Sequence, residues 1–478
     1  MRKVTFTFLI FIVGAILNLN CLFSQIIAFE SHSIDNYFMG IHVIKIIDLD
    51  DDGDYDIVGG SQHTPSSTSK GIAWWRNEGG DPIQWTRFVV DNTYMHVMSI
   101  DVDKINDDES FDIVASSWEN GTVCWWESSG DPTQEWTKHT IVSGWSNAHA
   151  SACGDLDNDG KVDVVGISVA NNKISVFYND DMSTNSWDEQ ILTASYTGAH
   201  NATLGDINND GNIDIIAGNF YSNKSVWWKN SGERTSWTEN VIANSNAFGN
   251  STLCDINLDG QLDIIGSAWY RNELSYWICD NILTNQWTKN VVSNNLGTVF
   301  KGIGTDIDKD GDIDIVVTSQ DPGMLLLYYN NNFSFRQTYI RSSFSGGTAL
   351  AVIDIDKDGD DDIIAGASFL GDLILFENVG FETGSAEIQD KNGDIRIYPN
   401  PSKGTVRIDN LDLSKQIKSI NVYDITGSEV YSKSFKTSQK EINLDLTLLI
   451  DGVYLLNIET NSGFSTHKIN ISNDYEKK

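Results

Sequence analysis

One recurring phrase restricts the architecture of this chain more than any other feature. D-x-[DN]-x-D-G-x-x-D, followed by a β-branched pair, starts at Asp48, Asp155, Asp206, Asp255, Asp306 and Asp354. A degenerate copy, DVDKINDDESFDIV, starts at Asp101, so successive copies step by 53, 54, 51, 49, 51 and 48 residues. A fixed period of this size marks a repeat array, in which each unit buries its apolar face against its neighbours.

Two further phrases recur in phase with the first. An aromatic pair follows each loop: Trp74-Trp75, Trp125-Trp126, Phe177-Tyr178, Trp227-Trp228, Tyr276-Trp277, Tyr328-Tyr329 and the weaker Leu375-Phe376. An aromatic residue with alternating polar and β-branched neighbours comes next, at Trp85, Trp136, Trp187, Trp237, Trp287 and Phe335. Each unit then holds about four strands, the composition of a propeller blade. No third phrase follows the copy at Asp354, but one stands near the N-terminus, FESHSIDN from Phe29. That phase predicts a ring closed by the N-terminal strand, which removes exposed sheet edges. The expected fold is all-β: a seven-bladed β-propeller followed by a small β-sandwich domain. The 39 Gly and 15 Trp against 6 Pro suit short strands joined by tight turns.

The loop spacing carries chemistry. Carboxylates at positions 1, 3, 5 and 9 of a tight turn can converge on one cation, with a backbone carbonyl at position 7. Gly at position 6 permits the sharp turn. The candidate ligands are Asp48, Asp50, Asp52 and Asp56; Asp155, Asp157, Asp159 and Asp163; Asp206, Asn208, Asp210 and Asp214; Asp255, Asn257, Asp259 and Asp263; Asp306, Asp308, Asp310 and Asp314; and Asp354, Asp356, Asp358 and Asp362. Without a cation, four like charges in register would repel. Calcium, which takes six to eight oxygens in flexible geometry, fits better than magnesium, and several structural calcium ions are expected. The copy at Asp101 lacks the Gly and is expected to bind weakly or not at all. The flanking residues are β-branched, so no EF-hand is present.

The loops and blade length resemble the FG-GAP and VCBS-type repeats of integrin-α-like propellers, over residues 26–380. After a polar stretch at 381–391, residues 392–478 read as alternating strands broken by turns. They resemble the type A C-terminal sorting domain of the type IX secretion system through Tyr398-Pro399-Asn400-Pro401, Tyr423-Asp424 with Gly427, Gly452-Val453-Tyr454, and Lys468-Ile469. That resemblance implies export by the type IX machinery to the cell surface or medium. Arg2 and Lys3 before the apolar run Val4–Leu17 read as a signal peptide, 1–25, too short for a membrane span.

The net charge of −35 argues against nucleic acid and anionic lipid as partners. A monomer without a transmembrane segment is expected. Cys124, Cys153, Cys254 and Cys279 show no disulfide-framework spacing and read as small buried hydrophobes.

The rim opposite the Asp loops has its own pattern. His42, His96, His149 and His200 each stand five or six residues before their loop, with Tyr94, Trp145 and Tyr196 close by. Tyr37, Phe38, Phe248, Phe300 and Phe344 occupy related positions. If the first strand lines the axis, these residues ring one mouth of the central channel. Three readings stay open. The ring can bind an extracellular glycan or protein, its clustered His can hold a transition metal or act as acid–base groups in a polysaccharide lyase or dehydratase, or it can be repeat consensus that packs at a strand start.

Overall fold

The computed structural model describes residues 27–62, 71–106, 108–181, 185–219, 221, 224–245 and 247–381, and then 388–389, 395–398, 402, 404–410, 416–423, 429–437, 439–449, 452–461 and 463–471. The expected signal peptide, most of the stretch between the two domains, and Pro399–Pro401, Asp424 and Gly427 of the C-terminal motifs lie outside the described residues.

Seven antiparallel sheets of four strands form the blades. The first blade shows how the phrases fold: Ile41–Ile47 runs into the Asp loop, Asp56–Ser61 leaves it, Ile72–Asn77 carries the tryptophan pair and Trp85–Asp91 is outermost. Both tryptophans are fully buried, one in each of two neighbouring cores. The second strands are buried along their whole length because both faces pack against neighbouring blades. First strands of successive blades touch one another, so they line the axis.

The ring closes as the phase of the repeats predicts. Ile27–Asp35 pairs antiparallel with Asp372–Phe381 and is the outer strand of the seventh blade, with Ser31 opposite Phe376 and Ser33 opposite Ile374. The seam repeats a contact used inside the ring. Asp91, ending the outer strand of blade one, accepts from the Trp126 indole of blade two at 3.2 Å and lies 3.5 Å from the Lys138 ammonium. Asp35 accepts in the same way from Trp75 at 3.0 Å and from Arg87 at 2.8 Å.

The C-terminal domain consists of two further four-stranded sheets. Ile397, Val406 and Ile408 of one sheet share a single core with Ile420, Val422, Leu456 and Ile458 of the other, which makes a small sandwich. Tyr398 of the first motif donates to Asp409, and Tyr454 of the third is buried. The four described cysteines are free thiols, two of them buried. No helix among the described residues is long and apolar enough to cross a membrane.

Candidate functional site

Each Asp loop is built by its own side chains. In the first, the Asp48 carboxylate accepts the N–H groups of Asp52 and Gly53, and Asp52 accepts that of Asp54. Asp56, at position 9, is buried; it accepts from Leu49 N at 3.1 Å and from Asn77 N at 2.8 Å, tying the loop to the third strand. The glycines at position 6 have φ near +90°, and position 4 is left-handed in all six complete loops. A Cβ on Gly53 would meet nothing within 4 Å, so the backbone angle alone demands glycine there.

Carboxylates converge in four loops: Asp48, Asp50 and Asp56; Asp155, Asp157 and Asp163; Asp306, Asp308 and Asp314; Asp354, Asp356 and Asp362, each set with ligand atoms within 4.8 Å of one another. These clusters can hold metal ions. Asp52, Asp159, Asp310 and Asp358 stay outside the sets, each holding the N–H of position 7. That differs from the convergence of positions 1, 3, 5 and 9 expected from spacing. The loops at Asp206 and Asp255 place Asn208 and Asn257 at position 3. Asp206 and Asp255 each accept two loop N–H groups, and Asp210 and Asp259 each hold the position 7 N–H. Asp214 and Asp263 are the buried position 9 carboxylates.

Two observations fit these carboxylates to a cation. Buried oxygens of Asp50, Asp155, Asp263, Asp306, Asp314 and Asp354 have no hydrogen-bond partner, which is costly unless a ligand supplies one. Burial also pushes the position 9 carboxyls up, to about 7 for Asp56, Asp163, Asp214 and Asp362, about 6 for Asp263 and about 8 for Asp314. Removal from water is the main cause, with neighbouring loop carboxylates adding to it.

The second blade corrects the repeat phase. Asp103 pairs with Asp112 as Ile47 pairs with Asp56. Position 1 of its loop is therefore Lys104, not Asp101, and no residues are inserted. Ile105 N donates to Asp112 at 3.1 Å as Leu49 N does to Asp56. An ammonium thus stands where the other loops carry a carboxylate. The D-x-D at 101–103, three residues out of phase, concealed this.

On the opposite rim a β-bulge opens six of the seven first strands, between Ile41/Val43, Val97/Ser99, Ala148/Ala150, Ala199/Asn201, Val299/Lys301 and Gly347/Ala349. The extra residues are His42, Met98, His149, His200, Phe300 and Thr348. A bulge re-aims its side chain, and all six line an axial cavity of about 530 Å³. His149 Nδ1 lies 2.8 Å from the His200 carbonyl, His200 Nδ1 lies 3.1 Å from Asn250 Oδ1, and the two rings are 4.0 Å apart. Burial drives all three histidines neutral, His42 down to about 3 and His149 to about 4.

The other expected mouth residues are elsewhere. His96 does not line the cavity; its backbone is left-handed and its ring lies 3.3 Å from Glu119. Tyr94, Trp145 and Tyr196 are buried in blade cores, and the two tyrosine hydroxyls donate to backbone carbonyls. Phe38, Phe248 and Phe344 are also core, and Tyr37 is exposed. Apart from Tyr37, the aromatic residues that face solvent on this rim come from the turns between second and third strands, which carry no recurring phrase. Trp118 lies 5.6 Å from His149, Trp269 lies 5.9 Å from Phe300, and exposed Tyr221 and Tyr270 stack at 6.3 Å.

Comparison with known families settles what these units are. An FG-GAP-like repeat model matches residues 104–166, 155–217, 206–266 and 306–365. A secretion system C-terminal sorting domain model matches residues 396–472. The chain is an FG-GAP-repeat propeller joined to a secretion sorting domain. It is exported by type IX secretion to the cell surface or extracellular space. The first match begins at Lys104, in agreement with the corrected phase. No curated protein sequence matches the chain. Similar solved structures include BBS1N in complex with ARL6DN, soaked with lead: 8% identity, 74% of this chain, 98% of that chain, TM-score 0.49. Another is the extracellular domain assigned to a one component system of B. thetaiotaomicron: 12% identity, 94% of this chain, 59% of that chain, TM-score 0.49. A third is a protein from Lactobacillus plantarum: 11% identity, 81% of this chain, 99% of that chain, TM-score 0.42.

Proposed function

We propose that this FG-GAP-repeat protein is an extracellular binding module, held rigid by structural calcium and presenting the mouth of its axial cavity to a glycan. The calcium reading rests on buried carboxylate oxygens without partners, grouped on one rim. A divalent, oxygen-preferring cation would satisfy them and offset the repulsion between carboxylates. Residues 1–25 would be removed as a leader, and the linker expected at 381–391 would be shorter, since Phe381 ends the last propeller strand and Ile388–Gln389 already pair with Ile397 and Arg396 of the C-terminal domain.

The glycan reading rests on the other rim. Exposed aromatic faces at Trp118, Tyr221 and Tyr270 stand in turns on the rim that carries the polar cavity, Trp118 beside the cavity residue His149, and such faces stack on the apolar face of a sugar ring. A glycan-array screen on the calcium-loaded protein, with product analysis of each hit, tests this. Bound glycan returned intact supports the binding module. Cleaved or dehydrated product, lost in a His149→Gln variant that still folds, favours the lyase or dehydratase reading instead. An array without hits contradicts both.

A further inference from the structure

We propose that the axial cavity selects an acidic sugar, whose carboxylate pairs with Lys301 while its hydroxyls meet the histidine mouth. This deepens the glycan reading above and depends on it.

Lys301 follows the bulge residue Phe300 by one position, so it stands one layer below the histidines, level with Asn201 and Ser99. Its ammonium donates to the Leu350 carbonyl at 3.0 Å across the cavity wall. Among the described residues no carboxylate forms an ion pair with it, and Asp101 acts on it only through space, although the chain carries 67 acidic residues against 32 basic ones. The two acidic residues lining the cavity are committed elsewhere. Asp101 is held by the Lys45 ammonium at 2.7 Å and by Cys153 N at 3.1 Å. Asp103 lies two residues further along its strand, where it accepts from Lys104 N.

A partly buried ammonium that lines a cavity with only a carbonyl acceptor is costly. Burial, and then the charge of Lys45, pull Lys301 down to about 8. A second group at the mouth is short of a partner: His42 is buried, lines the cavity, and its Nδ1 has none. A uronate-type sugar supplies what both lack, a carboxylate for the ammonium and hydroxyls for the imidazole. A neutral sugar supplies only the second. The aromatic turns above the mouth then stack the adjoining residues of the chain.

The test uses the calcium-loaded full chain and two probes, a glucuronate-terminated disaccharide and its methyl ester, followed by calorimetry at pH 7. A charge-assisted pair is worth about ten-fold in affinity or more, so the acid should bind at least about ten-fold tighter than the ester. Lys301→Met should bring the acid down to the affinity of the ester, and Lys301→Arg should keep the preference. Tyr270→Ala should weaken both probes alike. The wild-type comparison needs no variant to fold. Equal affinity for acid and ester overturns the acidic-sugar inference and leaves the glycan reading standing. Binding of neither probe, together with an empty glycan array, removes the glycan reading itself and the inference with it.

Discussion

Asp35→Ala should open the ring at its seam. The Asp35 carboxylate accepts from Tyr37 N at 2.7 Å, from the Trp75 indole at 3.0 Å and from Arg87 at 2.8 Å. Trp75 is 1% exposed, so alanine leaves its indole N–H buried without a partner, a cost of about 1–3 kcal/mol. Arg87 is 36% exposed at its side chain, and its ion pair adds at most about 1 kcal/mol after solvent screening. The expected loss is about 1–4 kcal/mol by urea unfolding. Asp35→Asn keeps an acceptor for the indole and should cost less than about 1 kcal/mol. Because Asp35 lies opposite Leu373, the alanine variant should also lower hydrogen-exchange protection through Phe376. An alanine variant within about 0.5 kcal/mol of wild type, with that protection intact, would show that the seam does not carry the closure.

Three further outcomes follow from the two rims. His149 stays neutral in the fold down to about 4, whereas the unfolded chain protonates near 6.5. Its contribution is therefore complete above pH 6.5 and is lost as pH falls, at about 1.4 kcal/mol per unit. His149→Gln in saturating calcium should lose stability less steeply between pH 6.5 and 4.5, and parallel curves would contradict this. Replacing residues 104–112 with the sequence of Asp306–Asp314 should raise bound calcium by one ion per chain in metal analysis; an unchanged count would mean that Lys104 is not what closes that loop to cations. Asp314→Asn removes a candidate ligand oxygen, since Asp314 Oδ2 has no hydrogen-bond partner. It should lower the melting temperature in calcium but leave it nearly unchanged in chelator, and an equal drop in both would assign Asp314 to packing alone.

The repeat made the fold legible because every blade solves the same packing problem. Trp74 and Trp75 sit back to back in two cores, and the same pair recurs wherever the sequence shows it. Closure by residues 27–35 was legible from the missing seventh outer strand. Lys104 was not, because the D-x-D at 101–103 mimics a loop start three residues early and only backbone pairing separates the two phases. The mouth was half legible. His42, His149 and His200 stand at a repeating position, but that position is a bulge, and periodicity alone does not show an unpaired residue. Tyr94 and Tyr196 shared the repeat and proved to be core, since their hydroxyls close the turns beside them. Trp118, Tyr221 and Tyr270 fall in turns of differing sequence, so no recurrence marked them.

The central claim is that cations on the Asp-loop rim hold the propeller together. Thermal melting of the calcium-saturated and chelated protein, with metal analysis of the saturated sample, tests it most directly. Each independent site at about 100 Kd adds about 2.7 kcal/mol. Several loops should therefore lower the melting temperature strongly on chelation, with calcium in several-fold molar excess over chain beforehand. An unchanged melting temperature and a chain free of bound metal would contradict the account.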